Sequence, residues 1–519
     1  MSYSSSSVSR RNVVHPVASI RDELREKGYA VVDFYAVNPP HAYTVIAREI
    51  TTGRLMYFVI EPPLSEEDHR VLKELKELLY EECRDLDSFP NKGSEEVLRK
   101  YIESKVRDII NKYSIELPRP EALSKYMYYL IRDFIGYGKI DSLMRDPYLE
   151  DILCDGVGSP IYVWHRFYES MPTNIVFDSL EELESFVTKL AYRAGKQISI
   201  ADPIVEGSLP DGSRVHITLT EVSRRGPTFS IRRFSIEVLT IIDLLIQNTI
   251  SVEEAAYLWY LVDNMRTIII TGATGAGKTT LLNAIAMFIR PECRVITIEE
   301  VPELRLPHEH WVPLVARPSR EAYVRDVTLF DLLKSSLRMR PDYIIVGEIR
   351  GEEAFVLFQA LATGHAGLCT MHAESIEYAI RRLLTKPMNI PPILIPLANV
   401  FIHISRVKLG DRIVRRVVRI CEVEDVDEKG NVKIRDIFRW TPLNDKHEKI
   451  GDSVVLRRIA EVKFIHPTHI EQELKRRATI LKTLMELKLR DFATVSKVIR
   501  EYYYRPELVY LRATAKALP

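Results

Sequence analysis

Gly272, Ala273, Thr274, Gly275, Ala276, Gly277, Lys278, Thr279 and Thr280 form the stretch of the 519-residue chain whose types and spacing are most clearly chemical. They satisfy G-x-x-x-x-G-K-[ST], with the β-branched run Thr267 to Thr271 before them and a helical pattern opening at Lys278. The three glycines allow the backbone to turn back with its N–H groups facing inward. Such a loop and the helix N-terminus cradle phosphate oxygens, the Lys278 ammonium reaches the β/γ oxygens, and the Thr279 hydroxyl is placed for Mg2+.

Phosphate chemistry also needs carboxylates, and their position depends on the surrounding strands. The runs RVITIEE (294–300) and Tyr343 to Val346 alternate with helical segments, which implies a parallel sheet whose ligands bind outside the strands' carboxyl ends. Glu348 follows Tyr343 to Val346 and Gly347, where a Mg2+-associated acid belongs. Asp342 lies at the other end of that strand, about 20 Å away at roughly 3.3 Å per residue, and is expected to be structural, capping or pairing with Arg338 or Arg340. Glu299 and Glu300 end the neighbouring strand, and alternation lets only one of them face the phosphates, where a carboxylate orients the attacking water. His365 and His372 flank the apolar strand Leu368 to Met371 and join the site candidates because two acid-tipped strands and the glycine loop accompany them.

Composition narrows the function classes. Lys plus Arg equals Asp plus Glu at 72 each, so no global basic excess drives binding to nucleic acid. The five cysteines, at 83, 154, 293, 369 and 421, show neither C-x-x-C pairing nor disulfide-scaffold spacing. No apolar stretch reaches bilayer length and the N-terminus has no signal-peptide core, so a cytoplasmic protein is expected, with membrane association through a partner.

The elements that must position these residues fall into five expected segments. Serine-rich residues 1–17 are expected to be a disordered leader. Residues 18–116 hold three β-type runs (31–37, 43–49, 55–61) and two helices, the first opened by a Ser65/Asp68 capping box, and are expected to be an α+β docking unit. Residues 117–235 form a second α+β unit, in which a Pro210–Asp211–Gly212 turn leaves Arg214 near the start of a strand. Taken alone, Arg214, Arg232 and Arg233 are a solvated charged sheet face. The α/β nucleotide domain spans 236–440, and 441–519 is a helical extension whose apolar faces pack on that domain or dock a partner.

Four motifs in order resemble the secretion ATPase superfamily, the RecA-like motors of type II and type IV secretion, type IV pili and the archaellum. Gly272 to Thr279 resembles its Walker A box and Ile298 to Glu303 its aspartate box, with Glu299–Glu300 in place of the usual Glu-Asp. Arg340 to Arg350 resembles its atypical Walker B, with Glu348 as the acid, and Thr363 to Ala373 its histidine box, which contains His365 and His372. The flanking regions look most like the archaeal branch. The resemblance implies a RecA-like P-loop ATPase domain preceded by a PAS-like α+β domain, a homohexamer using ATP and Mg2+, and rotation between those two domains. It further implies a polytopic membrane platform as partner, accessory cytoplasmic proteins, and a place on the inner face of the cell membrane. Glu299 becomes the catalytic choice, and Arg214 and Arg232, within LPDGSRVHI and GPTFSIRRF, map onto arginine fingers lent to a neighbouring subunit. Two rival readings are a RecA-like nucleic-acid translocase, disfavoured by the neutral net charge and the lack of a base-stacking platform, and a non-hydrolysing ATP-gated scaffold, disfavoured by Glu299 and Glu348.

Overall fold

The computed structural model describes residues 16–82, 95–119, 122–233, 238–317, 325–409 and 412–518. Residues 1–15 of the expected leader and Cys83 lie outside them, while Pro16 and Val17 already belong to the helix Pro16–Glu26. The chain divides into two compact units, Met1–Ile236 and Glu237–Pro519.

The first unit is built on one nine-stranded sheet. Its strands are β1 (Tyr29–Asn38), β2 (Ala42–Glu49), β3 (Leu55–Ile60), β4 (Leu149–Cys154), β5 (Pro160–His165), β6 (Glu169–Val176), β7 (Ile204–Ser208), β8 (Arg214–Thr218) and β9 (Thr228–Arg232). They lie in the order β1-β2-β3-β6-β5-β4-β9-β8-β7, so the separate units expected over 18–116 and 117–235 share a sheet. The seam is β3 beside β6, parallel at Tyr57 and Thr173. Side chains seal it: the Asn174 amide accepts from the Val59 N–H at 2.8 Å and donates to the Val59 carbonyl at 3.0 Å. Asp146, fully buried, accepts the hydroxyls of Tyr35 (2.7 Å) and Tyr57 (2.5 Å). Burial raises the Asp146 carboxyl above its ordinary range, and these hydrogen bonds oppose that rise. The helices Glu66–Glu82, Glu95–Tyr113 and Ala122–Phe134 share a separate core of Leu72, Leu75, Leu79, Ile102, Val106, Ile109 and Leu130. Ser65 and Asp68 cap the first reciprocally, through Asp68 N–H to Ser65 Oγ (3.1 Å) and Ser65 N–H to Asp68 Oδ2 (2.8 Å).

The second unit also carries nine strands. These are β10 (Ile268–Gly272), β11 (Val295–Glu299), β12 (Trp311–Val315), β13 (Tyr343–Val346), β14 (Ala366–His372), β15 (Val400–Leu409), β16 (Arg412–Val426), β17 (Val432–Thr441) and β18 (Lys446–Lys449). The order is β12-β11-β13-β14-β10-β15-β16-β17-β18, parallel from β12 to β15 and antiparallel beyond. Period-two alternation sends Ile268 and Ile270 into one core, shared with Val252–Asp263 and Lys278–Ala286, and Ile269 into the other, shared with Leu329–Ser336, Glu353–Ala362 and Ile376–Leu384. The unit is therefore a doubly wound α/β fold, and the glycine loop leaves the carboxyl end of β10, inside the parallel set.

The expected boundary at 440 falls inside β17, and β18 adds a strand before the helices begin. The helices Pro467–Glu486, Phe492–Tyr504 and Pro506–Thr514 pack into the core around Val252–Asp263. Arg477 fixes this contact, buried against Asp263 with its guanidinium over the rings of Trp259, Tyr260 and Tyr502. Among the described residues no helix is long and apolar enough to cross a membrane.

Candidate nucleotide site

The glycine loop is shaped by what surrounds it. A Cβ at Gly272 would meet the Ile404 carbonyl oxygen at 2.3 Å, so only glycine lets β10 end there. Gly275 and Gly277 hold left-handed φ values of +72° and +93°, and Gly277 caps the helix Lys278–Ala286. Thr279 and Thr280 are half-buried in its first turn. Lys278 is buried, with Nζ donating to the Ala273 carbonyl at 2.9 Å across the loop.

Sheet register then brings distant residues to this point. Gly272 pairs with His372 across β10 and β14, and Val346 pairs with Cys369 across β13 and β14, so Glu348 emerges near His372. The segment carrying Glu348 is held on both sides, by Gly347 N–H to the Ile298 carbonyl (2.9 Å) and by Ile349 N–H to the Thr370 carbonyl (2.9 Å). Lys278 Nζ lies 3.1 Å from His372 Nδ1, and His372 Nε2 lies 3.4 Å from Glu348 Oε2. Burial and then the Lys278 ammonium lower the His372 pKa, while the Glu348 carboxylate pulls less strongly the other way. A neutral imidazole suits this position, with Nδ1 accepting from the ammonium and Nε2–H facing the carboxylate. Arg382 donates to the His372 carbonyl and holds the end of β14.

Glu299 is the last residue of β11 and is buried, whereas Glu300 is exposed and pairs with Arg350. Glu299 Oε1 accepts the N–H groups of Glu303 (2.9 Å) and Leu304 (3.0 Å). Burial outweighs those bonds and pushes the carboxyl up to about 7. Gly347 makes room for it: a Cβ there would lie 3.2 Å from the Glu299 Cγ. Glu299 and Glu348 thus lie at the carboxyl ends of adjacent strands, β11 and β13.

His365 precedes β14 and His372 ends it, so the strand holds them about 23 Å apart at roughly 3.3 Å per residue. His365 instead closes the helix Glu353–Ala362, with Nδ1 3.0 Å from the Ala360 carbonyl and 3.1 Å from the Thr363 hydroxyl, which corrects its expected place in the site. Asp342 is bound to the Arg294 backbone, accepting its N–H at 2.7 Å and donating to its carbonyl at 2.9 Å, where Arg338 or Arg340 was the expected partner. Arg214 and Arg232, in the first unit, are exposed register partners across β8 and β9. Arg233 turns the other way and donates to the carbonyls of Leu143 and Met144.

Arg406 and Arg415 escaped the sequence reading although both stand against the loop, with Arg415 Nε donating to the Gly275 carbonyl at 3.2 Å. A Gly410–Asp411 hairpin signal in the sequence pairs these two arginines, but only the parallel pairing of β15 with β10 brings them to the loop.

Comparison with known proteins shows the family to which the chain belongs. The family model described as "Type II/IV secretion system protein" matches residues 139–494. An uncharacterised protein of Methanocaldococcus jannaschii is 37% identical over 516 residues, covering 94% of this chain and 91% of that one. The type IV secretion system protein PtlH of Bordetella pertussis is 32% identical over 237 residues, 41% of this chain and 70% of PtlH. Among solved structures, the VirB11 ATPase of the Brucella suis type IV secretion system is 26% identical, covering 55% of this chain and 92% of that one, with a TM-score of 0.28. With that model spanning most of the chain and a relative matching nearly end to end, the chain belongs to the type II/IV secretion system protein family, the secretion ATPase superfamily.

Proposed function

We propose that this protein is an ATP-hydrolysing motor of its family, a cytoplasmic homohexamer that acts on a polytopic membrane platform to assemble or rotate a pilus-like filament or archaellum, or to drive secretion. The observation that carries the reading is Lys278, His372 and Glu348 meeting within hydrogen-bond reach at the glycine loop. The loop fits a nucleotide polyphosphate, since its left-handed glycines turn amides inward and a Cβ at Gly277 would already meet Arg415 at 3.2 Å. Thr279 and Glu348 are hard oxygen donors suited to Mg2+, which takes one or two protein oxygens beside phosphates and would neutralise charge on the transferred group. On binding, Lys278 exchanges the Ala273 carbonyl and His372 for phosphate oxygens. Glu299 accepts a proton from the attacking water at its carboxylate, and neutral His372 keeps Glu348 oriented without adding a charge. Arg214, with Arg232 beside it, supplies positive charge to a neighbouring subunit's phosphates.

The test is phosphate release from ATP with Mg2+, with and without single-stranded DNA, on the parent protein and Lys278→Ala. The expected result is turnover indifferent to DNA and reduced roughly a hundredfold or more by the substitution. Absence of turnover in the parent would leave an ATP-gated scaffold, and strong stimulation by DNA would leave a translocase.

A further inference from the structure

β15 pairs with β10 only as far as His403 opposite Thr271, then continues to Leu409 with β16 returning alongside it. The hairpin therefore extends past the carboxyl end of β10, on the side where the glycine loop sits. Ile404, the first residue beyond the pairing, is buried and gives the carbonyl that crowds Gly272. Two residues further along, Arg406 stands in register with Arg415. Both touch the loop's surroundings: Arg415 Nε donates to the Gly275 carbonyl at 3.2 Å, and Arg406 Nη1 lies 3.9 Å from the position of a Cβ on Gly275.

Like charges directly opposite each other on paired strands repel. Here both face a loop whose amides are arranged for an anion, while its Gly275 carbonyl turns out toward Arg415. A guanidinium bonded to the outward Gly275 carbonyl holds that peptide in the orientation that presents the following N–H groups to phosphate. It also places positive charge close behind the loop. The chemistry is that of a polyphosphate, since a single phosphate engages fewer of the loop's amides.

We propose that Arg406 and Arg415 form a second cationic element of the nucleotide site, carried in cis by the β15–β16 hairpin, in which Arg415 positions the glycine loop and Arg406 adds to its positive field. This rests on the nucleotide-binding reading above and extends it to residues outside the loop and the four motifs. Arg415 is a positioning residue, acting through Gly275 on the bound polyphosphate.

The experiment measures binding of mant-ATP and mant-AMP to the full chain with Mg2+, for the parent and for Arg415→Ala, Arg415→Lys, Arg406→Ala and Lys278→Ala, alongside the nucleotide-free thermal midpoint of each. Loss of one charge-assisted hydrogen bond predicts that Arg415→Ala weakens mant-ATP roughly tenfold to a hundredfold. Arg406→Ala is expected to weaken it by about threefold, as a field effect without a bond, and mant-AMP by less than mant-ATP in both variants. Arg415→Lys is expected to recover part of the affinity, since it keeps the charge and loses the Nε donor. Mant-ATP binding by Arg415→Ala within twofold of the parent, while Lys278→Ala is impaired, overturns the proposal and leaves the nucleotide site intact. An equal loss of mant-AMP and mant-ATP with a lowered midpoint also overturns it, because the hairpin would then be only a structural wall. If Arg415→Ala does not fold, Arg415→Gln, which keeps most of the bulk without the charge, is judged by the same outcomes. A parent that binds no mant-ATP removes the nucleotide reading itself, and this one with it.

Discussion

The raised carboxyl of Glu299 makes the pH dependence of turnover a quantitative test of its role. With the folded pKa at about 7, the carboxylate that must accept the water's proton is about one-tenth formed at pH 6 and about nine-tenths formed at pH 8. At limiting ATP and constant ionic strength, kcat/KM for phosphate release should therefore rise about tenfold across that interval. Loss of activity on acidification comes from protonation and not from unfolding through this group. Its folded pKa lies above the unfolded value near 4.5, so the folded chain holds an extra proton between pH 4.5 and about 7. That contribution favours the fold at the acidic end and fades as pH rises through the folded pKa. Glu299→Gln keeps the shape and removes the base, so hydrolysis should fall by about 10²- to 10⁴-fold, and the remaining rate should not follow the same limb. Since the variant handles the same nucleotide, any titration of ATP itself appears in both proteins and cancels in the ratio. A parent profile flat from pH 6 to 8, or a limb that survives in Glu299→Gln, would refute the argument.

Two further outcomes can be checked independently. Arg214→Ala should bind ATP and fail to hydrolyse it, whereas mixing it with Lys278→Ala should restore activity in mixed rings, because a finger from one subunit then meets an intact loop in another; mixed rings seen by mass photometry that stay inactive would count against action across the boundary. Arg477→Ala leaves buried Asp263 with Arg290, at 2.6 Å, as its remaining ion pair among the described residues, so denaturant unfolding of the second unit should show a loss of about 3 kcal/mol, and an unchanged midpoint would mean that the C-terminal helices are held by apolar packing alone.

What could be read from the chain was local or depended on a single sheet rule. The glycine loop, its flanking strand and helix, and the strand-end positions of Glu299 and Glu348 follow from spacing plus the habit of parallel sheets to bind at their carboxyl ends. The histidines mark the limit of that reasoning. Seven positions apart in one motif, His365 and His372 look equivalent, but an extended strand carries them to opposite edges, where one closes a helix and the other meets Lys278. Arg415 was out of reach for a different reason: its partner carbonyl is 140 residues away, and the contact exists because β15 rather than another strand flanks β10. The seam of the first sheet failed likewise, since nothing near Tyr57 announces Thr173 or Asp146 as its neighbours.

That seam sets a timetable for the chain's birth. Val59 and its bracket Asn174 are 115 residues apart, so a ribosome adding roughly 5 to 20 residues per second needs about 6 to 23 s between them. During that interval β3 has been made and its neighbour has not, leaving an open row of backbone donors and acceptors that another nascent chain could occupy. A fragment cut near residue 116 would keep that edge open for good. The first natural stopping point for separate expression of this half lies beyond Arg232, after β9 has completed the sheet.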